Sequence, residues 1–238
     1  NVIYNFREND LKNGGQGAPL VPIFHKLLQK KLRLKLPVIF VNIGGISNIT
    51  YLDKNDEMIS FDTGPGNFLI DKLLQLKSNN KIQYDKDGRM AFKGRVDINI
   101  LESYLNDSYY NFFPPKSLDV NDFSLSAVRG ISVENSITTL SELTSLTIVN
   151  SLNFFSNKPK EIILCGGGRK NRYIYEQIKQ KSKIATFCID EYKMNGDFIE
   201  SQAFAYLSIR SFLKKSISFP KTTGVLEPIT GGRLVKFK

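Results

Sequence analysis

What most constrains the fold of this chain is a pairing that occurs twice: an apolar run that stops on a cluster of glycines. Residues 38–43 read VIFVNI and end on Gly44-Gly45, and residues 161–165 read EIILC and end on Gly166-Gly167-Gly168. Short apolar runs bounded by turn signals are strands. Glycine removes the side chain that would block an anion, and a helix that follows offers free N–H groups. Open α/β sheets bind their ligands at just these carboxyl ends of strands. A third cluster, Gly14-Gly15-Gln16-Gly17, follows no apolar run. Any one of the three is also what an ordinary tight turn requires, and it is the repeated position after a strand that points to a ligand.

The surrounding pattern extends this to an α/β architecture. Residues 48–52 read as the hairpin partner of 38–43, 53–56 as a turn and 58–61 as a third strand. Residues 68–74 suit a helix packed on a sheet. The middle is helical, with candidates at 96–105 and at 133–155, where Ile137, Leu140, Thr144, Ile148 and Leu152 share a face. Residues 112–117 make a stiff, proline-rich connection. The α/β pattern then resumes with strands at 161–165 and 185–189 and helices at 171–181 and 198–213, and the tail from 220 to 238 carries turn signals without periodicity. No internal repeat of fixed period interrupts this order.

Charge and cysteine content narrow the function classes. Of 238 residues, 33 are Lys or Arg and 23 Asp or Glu, a formal net charge of +10. The basic residues are dispersed apart from 29–35 and 158–160, and no nucleic-acid-binding module accompanies them, so a lysine-rich proteome or an anionic small substrate accounts for the charge more simply than nucleic acid does. Nothing in the chain approaches the ~20 apolar residues of a membrane span, and no leader pattern is present. Cys165 and Cys188 are isolated in apolar runs and read as buried, reduced thiols of a cytosolic protein, without zinc or disulfide spacing. An opening on Asn1 rather than Met reads as that of a fragment or processed product.

None of the glycine clusters fits a common nucleotide template. The chain has no Gly-Lys-Ser/Thr to end a Walker A loop, and in the two near misses to a dinucleotide fingerprint the third glycine is replaced by Asn171 and Leu69. Residues 61–67, FDTGPGN, pose the sharper question, because Asp62 stands at the mouth of a tight turn. A carboxylate there either caps the following helix, for which it lies several residues early, or faces a bound molecule. Glu200 is similarly open, since Asp197-Phe198-Ile199-Glu200 has the spacing of a capping box. The lone histidine, His25, has no Ser or Cys motif beside it and reads as structural.

Six blocks in order then resemble the anhydro-N-acetylmuramic acid kinase family: Gly14 to Leu20 (GGQGAPL), Asn42 to Thr50 (NIGGISNIT), Phe61 to Asn67, Pro114 to Ser117 (PPKS), Cys165 to Gly168 with Asn171, and Glu200 to Ala205 (ESQAFA). The resemblance covers nearly the whole chain. It implies an α/β, ribonuclease-H-like/actin-like ATPase superfold with two lobes and a cleft, the first lobe incomplete. Residues 1–60 would be the remainder of that lobe, and 61–238 the carboxy-terminal lobe with a helical insert at about 90–130. The implied activity is ATP-dependent phosphorylation of 1,6-anhydro-N-acetylmuramic acid with hydrolytic opening of the anhydro ring, giving N-acetylmuramic acid 6-phosphate in peptidoglycan recycling.

What the family implies for individual residues follows. Asp62 would be the general base, and Glu200 a second acid near the sugar. Gly44, Gly45 and Asn48 resemble a phosphate-binding hairpin, and Gly166, Gly167, Gly168 and Asn171 an adenosine loop. Arg7, Gln16, Gly17, Ala18, Pro19, Gly64 and Asn67 would serve the sugar, Arg7 by pairing with its lactyl carboxylate. ATP and Mg²⁺ are the implied cofactors, with no metal ligands identified, and a homodimer the implied assembly. Where relatives carry an arginine near position 120, this chain reads Leu118-Asp119-Val120. Relatives also extend further at the amino end, where a first phosphate-binding hairpin lies; the nearest pattern here, Asp87-Gly88, reads as a turn. The alternatives are an inactive remnant that keeps only sugar or nucleotide binding, and a basic nucleic-acid binder.

Overall fold

The computed structural model describes residues 1–236. In chain order the elements are β1 (Val2–Tyr4), α1 (Glu8–Lys12), α2 (Pro22–Leu32), β2 (Val38–Ile43), β3 (Ile46–Leu52), β4 (Met58–Pro65), α3 (Phe68–Lys77), α4 (Ile98–Leu105), α5 (Val133–Ser151), β5 (Glu161–Cys165), α6 (Arg172–Ser182), β6 (Ala185–Cys188), α7 (Ile199–Phe212), α8 (Pro220–Thr223) and β7 (Arg233–Val235). Five strands form one sheet in the order β4-β3-β2-β5-β6. The β2-β3-β4 meander is antiparallel, while β5 and β6 run parallel to β2. This is the mixed α/β arrangement expected from the repeated strand-glycine pattern.

Alternation along the strands sorts the sheet into two buried faces. Ile39, Val41, Ile43, Ile49, Phe61, Ile162 and Leu164 pack with residues of α3, α5 and α6. Val38, Phe40, Leu52, Ile163 and Cys165 pack with residues of α2 and α7. Phe40 and Phe61, fully buried on opposite faces, anchor the two layers. Burial of a side chain that size contributes about 1.5–3 kcal/mol.

α5 is buried nearly all round although it is rich in Ser and Thr. Most of its hydroxyls turn back on the helix, as Ser145 Oγ does to the Ser141 carbonyl at 2.9 Å, while the buried Ser141 Oγ has no partner among the described residues. The same small residues let the Gly64–Gly66 turn come close: Thr144 Oγ1 donates to the Gly66 carbonyl at 2.9 Å.

Several expectations need adjustment. The long middle helix ends at Ser151, followed by a short 3-10 turn over Leu152–Phe154, and α4 starts at Ile98 because Asp97 caps it by accepting from the Ile100 N–H. Cys165 is buried, but Cys188 is only half-buried. The division near residue 60 falls inside β4, and strands on both sides of it share one sheet. The tail holds α8 and β7, and β7 pairs antiparallel with β1; residues 237 and 238 lie outside the described part. No helix among the described residues is long and apolar enough to cross a membrane.

Candidate active site

Asn42, Asn48 and Asp62 stand side by side across β2, β3 and β4, on the face covered by α2 and α7. A register shift between Ser47 and Asn48 sets this row where the strands reach the Gly44-Gly45 hairpin. Asp62 is therefore a strand residue and caps nothing: the N-cap of α3 is Asn67, whose side chain donates to the Ile43 carbonyl (3.3 Å) rather than capping the helix. Its whole backbone and one carboxylate oxygen are held by the segment that includes Pro114–Ser117. The Asp62 N–H donates to the Lys116 carbonyl (3.1 Å), Tyr109 Oη donates to the Asp62 carbonyl (2.5 Å), and the Leu118 N–H donates to Oδ2 (2.9 Å). Only 6% exposed, the Asp62 carboxyl is pushed up by burial to about 6, against the opposing pull of the Leu118 N–H and the Arg7 guanidinium. A carboxylate so placed is charged at neutral pH and more basic than a solvated one.

A cleft opens in front of this row, lined by Arg7, Ala18, Pro19, Asn42, Asn48, Asp62 and Glu200, with His25 and Phe204 among its other walls. Six residues expected to act on ligand thus converge here from four separate parts of the chain. Glu200 is exposed in the first turn of α7, and the capping box is not formed: Phe198 is the N-cap and makes no side-chain bond, while the Asp197 carboxylate is bound to Arg169 and Lys170.

The loop carrying Ala18 and Pro19 owes its shape to Asp10. That buried side chain accepts from the Gly17 N–H at 2.6 Å and from the Thr223 hydroxyl at 2.5 Å, and a Cβ at Gly15 would fall 2.1 Å from its Oδ1. Gly17, at φ +75°, is folded onto this group, and Gln16 reaches across to the Pro115 carbonyl (3.2 Å); neither lines the cleft.

The three glycine turns near the sheet pack on one another. The Gly66 and Phe68 amides donate to the Gly45 carbonyl (2.9 and 3.1 Å), and the Asn67 amide donates to the Gly44 carbonyl (2.7 Å). Two glycines of the last cluster are dictated by this packing: a Cβ at Gly166 would lie 2.5 Å from Asn42 Oδ1, and one at Gly168 would lie 2.2 Å from Ile43 Cγ2. Gly167 differs, with nothing nearer than 4.0 Å to its hypothetical Cβ. It borders a second cavity of about 560 Å³ between α3 and the start of α6, together with Asn67, Asp71, Tyr84, Lys86, Gly168, Lys170 and Asn171. Asn171 also caps α6, accepting from the Ile174 N–H at 3.2 Å. Asn67, expected on the sugar side, lines this second cavity, and Asn48, expected with the phosphates, lines the Asp62 cleft. Gly64 lines neither, its Cα facing Thr147 of α5.

Arg169 is the strut of the last glycine turn. Its side chain, 3% exposed, grips Asp190 with Nε and Nη2 (2.6 and 3.0 Å) while Nη1 reaches the Gly166 carbonyl and Asp197, both at 2.9 Å. A lysine in its place keeps the charge but not the fork. Arg169→Lys is expected to lose about 2 kcal/mol of stability, the scale of one or two charge-assisted hydrogen bonds, and thermal melts at low and high salt check it.

Lys116 is buried without an acidic partner. Nζ donates to the Tyr109 carbonyl at 2.9 Å and sits over the rings of Tyr109 and Phe154, and burial lowers its ammonium to about 8. It fastens the segment that clamps Asp62. Sequence reasoning missed Asp10, Tyr109 and Arg169, because each works through a partner remote in the chain. Among the described residues, no three His, Cys, Asp or Glu side chains gather as a metal-binding group.

The mixed α/β sheet gathers its glycine turns at the carboxyl ends of β2 and β5, between two cavities, which defines a ligand-binding α/β unit. Residues 1–236 match the family described as anhydro-N-acetylmuramic acid kinase, and the chain belongs to that family. It is 47% identical, over 99% of its length, to the anhydro-N-acetylmuramic acid kinase of Pelagibacter ubique (strain HTCC1062), and 41% identical, over 98%, to that of Zymomonas mobilis subsp. mobilis. It spans 65% and 63% of the lengths of those two proteins. Among solved structures, the activator of the 2-hydroxyisocaproyl-CoA dehydratase from Clostridium difficile with bound ADPNP superposes at TM-score 0.46 and 12% identity, covering 78% of this chain and 66% of that one. An overlap at that level adds nothing to the family match.

Proposed function

We propose that this chain carries the sugar site and part of the nucleotide site of an ATP-dependent kinase that converts 1,6-anhydro-N-acetylmuramic acid to N-acetylmuramic acid 6-phosphate while water opens the anhydro ring. The observation that carries the reading is the convergence of Asp62, Arg7 and Glu200 on one cleft.

Asp62 is the base. A water attacking C1 loses its proton to the free carboxylate oxygen, the C1–O6 bond breaks, and O6 takes the phosphoryl group, so no proton is needed on the leaving oxygen. The Leu118 amide holds the other oxygen, which leaves the carboxylate one orientation. The same negative charge stabilises the oxocarbenium-like carbon. Arg7, which makes no salt bridge among the described residues, presents a fork for the lactyl carboxylate. Glu200 accepts from sugar hydroxyls.

The second cavity suits a nucleotide. ATP supplies the phosphoryl group when bound, and Mg²⁺ would offset its charge. Gly167 has room for a ligand where its Cβ would be, Tyr84 offers a ring, and Lys86 and Lys170 offer cations. Gly44 and Gly45 would also admit an anion, since neither Cβ would come nearer than 3.5 Å to another atom. The residues present identify no magnesium ligands. A cytoplasmic location and a homodimer belong to the same reading.

The test is incubation of the chain with ATP, Mg²⁺ and the anhydro sugar in ¹⁸O-water, with products read by mass spectrometry. The expected product is a sugar 6-phosphate carrying ¹⁸O at C1. Phosphate released without any sugar product, or a product with unlabelled C1, counts against the coupled reaction.

A further inference from the structure

His25 is the only histidine of the chain, and the mechanism above does not use it. It is held from two sides. The ring stacks on Phe40 (centroids 4.7 Å apart, planes 5° apart), and Nδ1 lies 2.9 Å from Thr50 Oγ1. The other nitrogen, Nε2, is buried without a hydrogen-bond partner among the described residues, in a residue that lines the Asp62 cleft. A polar atom left unmet inside a folded protein calls for a reason.

Which proton the ring carries follows from the hydroxyls behind it. Ser60 Oγ donates to the Ile49 carbonyl at 2.6 Å, which uses its only proton. Toward Thr50 Oγ1, 3.3 Å away, Ser60 can then only accept, so the Thr50 hydroxyl points at Ser60. Thr50 Oγ1 in turn has only lone pairs to offer His25, and Nδ1 must be the protonated nitrogen. The reverse order would face two lone pairs at the Thr50–Ser60 contact and bury an unmet Nε2–H. Burial keeps the ring neutral, its imidazolium falling to about 3. Nε2 is therefore a bare lone pair, itself covered, in a residue that lines a cleft whose other polar groups are Arg7, two carboxylates and two asparagines.

We infer that His25 Nε2 is a substrate-binding acceptor, taking a hydrogen bond from a hydroxyl or amide N–H of the sugar held in front of Asp62. The inference rests on the sugar site proposed above. It makes His25 a specificity determinant, because a sugar derivative without that donor would leave the buried lone pair unmet. The chain of donors from Nδ1 through Thr50 and Ser60 to the Ile49 carbonyl holds the tautomer in place, as second contacts to a histidine commonly do.

A single histidine makes the test direct. In chain labelled with ¹⁵N-histidine, the spectrum at neutral pH is expected to show a protonated Nδ1 and an unprotonated Nε2, and titration with 1,6-anhydro-N-acetylmuramic acid is expected to move Nε2 upfield while Nδ1 stays. Calorimetry on the same sample reports whether the sugar binds. Binding with no change at Nε2 overturns the inference and leaves the sugar site standing; a protonated Nε2 in the free chain overturns it equally. Absence of sugar binding overturns the proposed site and the inference with it.

Two variants separate contact from scaffolding. His25→Asn keeps a donor near Nδ1 and removes the acceptor at Nε2, whereas His25→Gln places an amide oxygen near Nε2 and gives up the bond to Thr50. Losing the acceptor is expected to weaken sugar binding about tenfold, with His25→Gln retaining more affinity than His25→Asn. The opposite order would mean that only the Thr50 bond matters.

Discussion

Asp62→Asn is expected to lower turnover of the anhydro sugar by about 10³-fold, the usual worth of a general base, and at the same time to make the folded chain more stable above neutral pH. The second effect follows from burial. The folded carboxyl is raised to about 6, well above a solvated aspartate. Stability contributed by the protonated form is complete below the unfolded pKa and is lost as pH rises through the folded one, so at pH 8 the ionised group costs the fold on the order of 2 kcal/mol. Asparagine carries no such charge, and its amide oxygen can still accept from the Leu118 N–H. A rise in Tm of roughly 5 °C at pH 8 is expected, shrinking to nothing near pH 4. Equal melting gains at both pH values would show the group to be unperturbed. In the parent chain, activity should climb as pH passes 6, when Asp62 gives up its proton.

Gly66→Ala should be strongly damaging for so small a change. A methyl there would sit 2.2 Å from the Gly44 carbonyl oxygen and 3.2 Å from that of Gly45, where only backbone stands to give way. The Gly66 and Gly44-Gly45 turns would have to separate, breaking the amide-to-carbonyl bonds that join them. The expected loss is about 3 kcal/mol, or a fall in Tm of roughly 6–12 °C, with impaired binding in both cavities. Gly167→Ala is the control. Its methyl meets nothing within contact distance, so Tm should stay within about 1 °C while nucleotide binding, followed with a fluorescent ADP, weakens. If the two substitutions destabilise alike, the packing described for the turns is not what holds them.

The parts legible in the sequence were those written locally. The runs at 38–43 and 161–165 announce strands because apolar residues stop abruptly at glycine, and the helices expected from 133 and 171 start where Ser132 and Asn171 cap them, whereas the cap at Asp97 went unread. Asp62 was reachable because GPGN makes its turn unmistakable. Helix α2 escaped notice: it begins after Val21 with no capping side chain, and Pro22 at its first position is its only start signal. β1 and β7 pair across almost the whole chain, so no local pattern could reveal them. Asp10 reads as one more acid in a short helix, and only Thr223, 213 residues on, makes it the anchor of the cleft loop. On the proposed reading of the two cavities Asn48 and Asn67 exchange sides, because a hairpin and a turn each have two faces, and residue order alone does not say which ligand each side chain meets.

Gly166 is so close to Asn42 that not even a methyl fits between them; Asn42 lines the Asp62 cleft, and Gly167, the next residue after Gly166, lines the second cavity. Occupancy on one side is thereby free to alter the other. A molecule that presses the Gly166 turn against Asn42 helps or hinders what binds beside Asp62. Thermodynamic reciprocity then requires the second ligand to change the affinity of the first by the same factor. The order in which the two arrive cannot alter that factor, only the rate at which the doubly occupied state is reached.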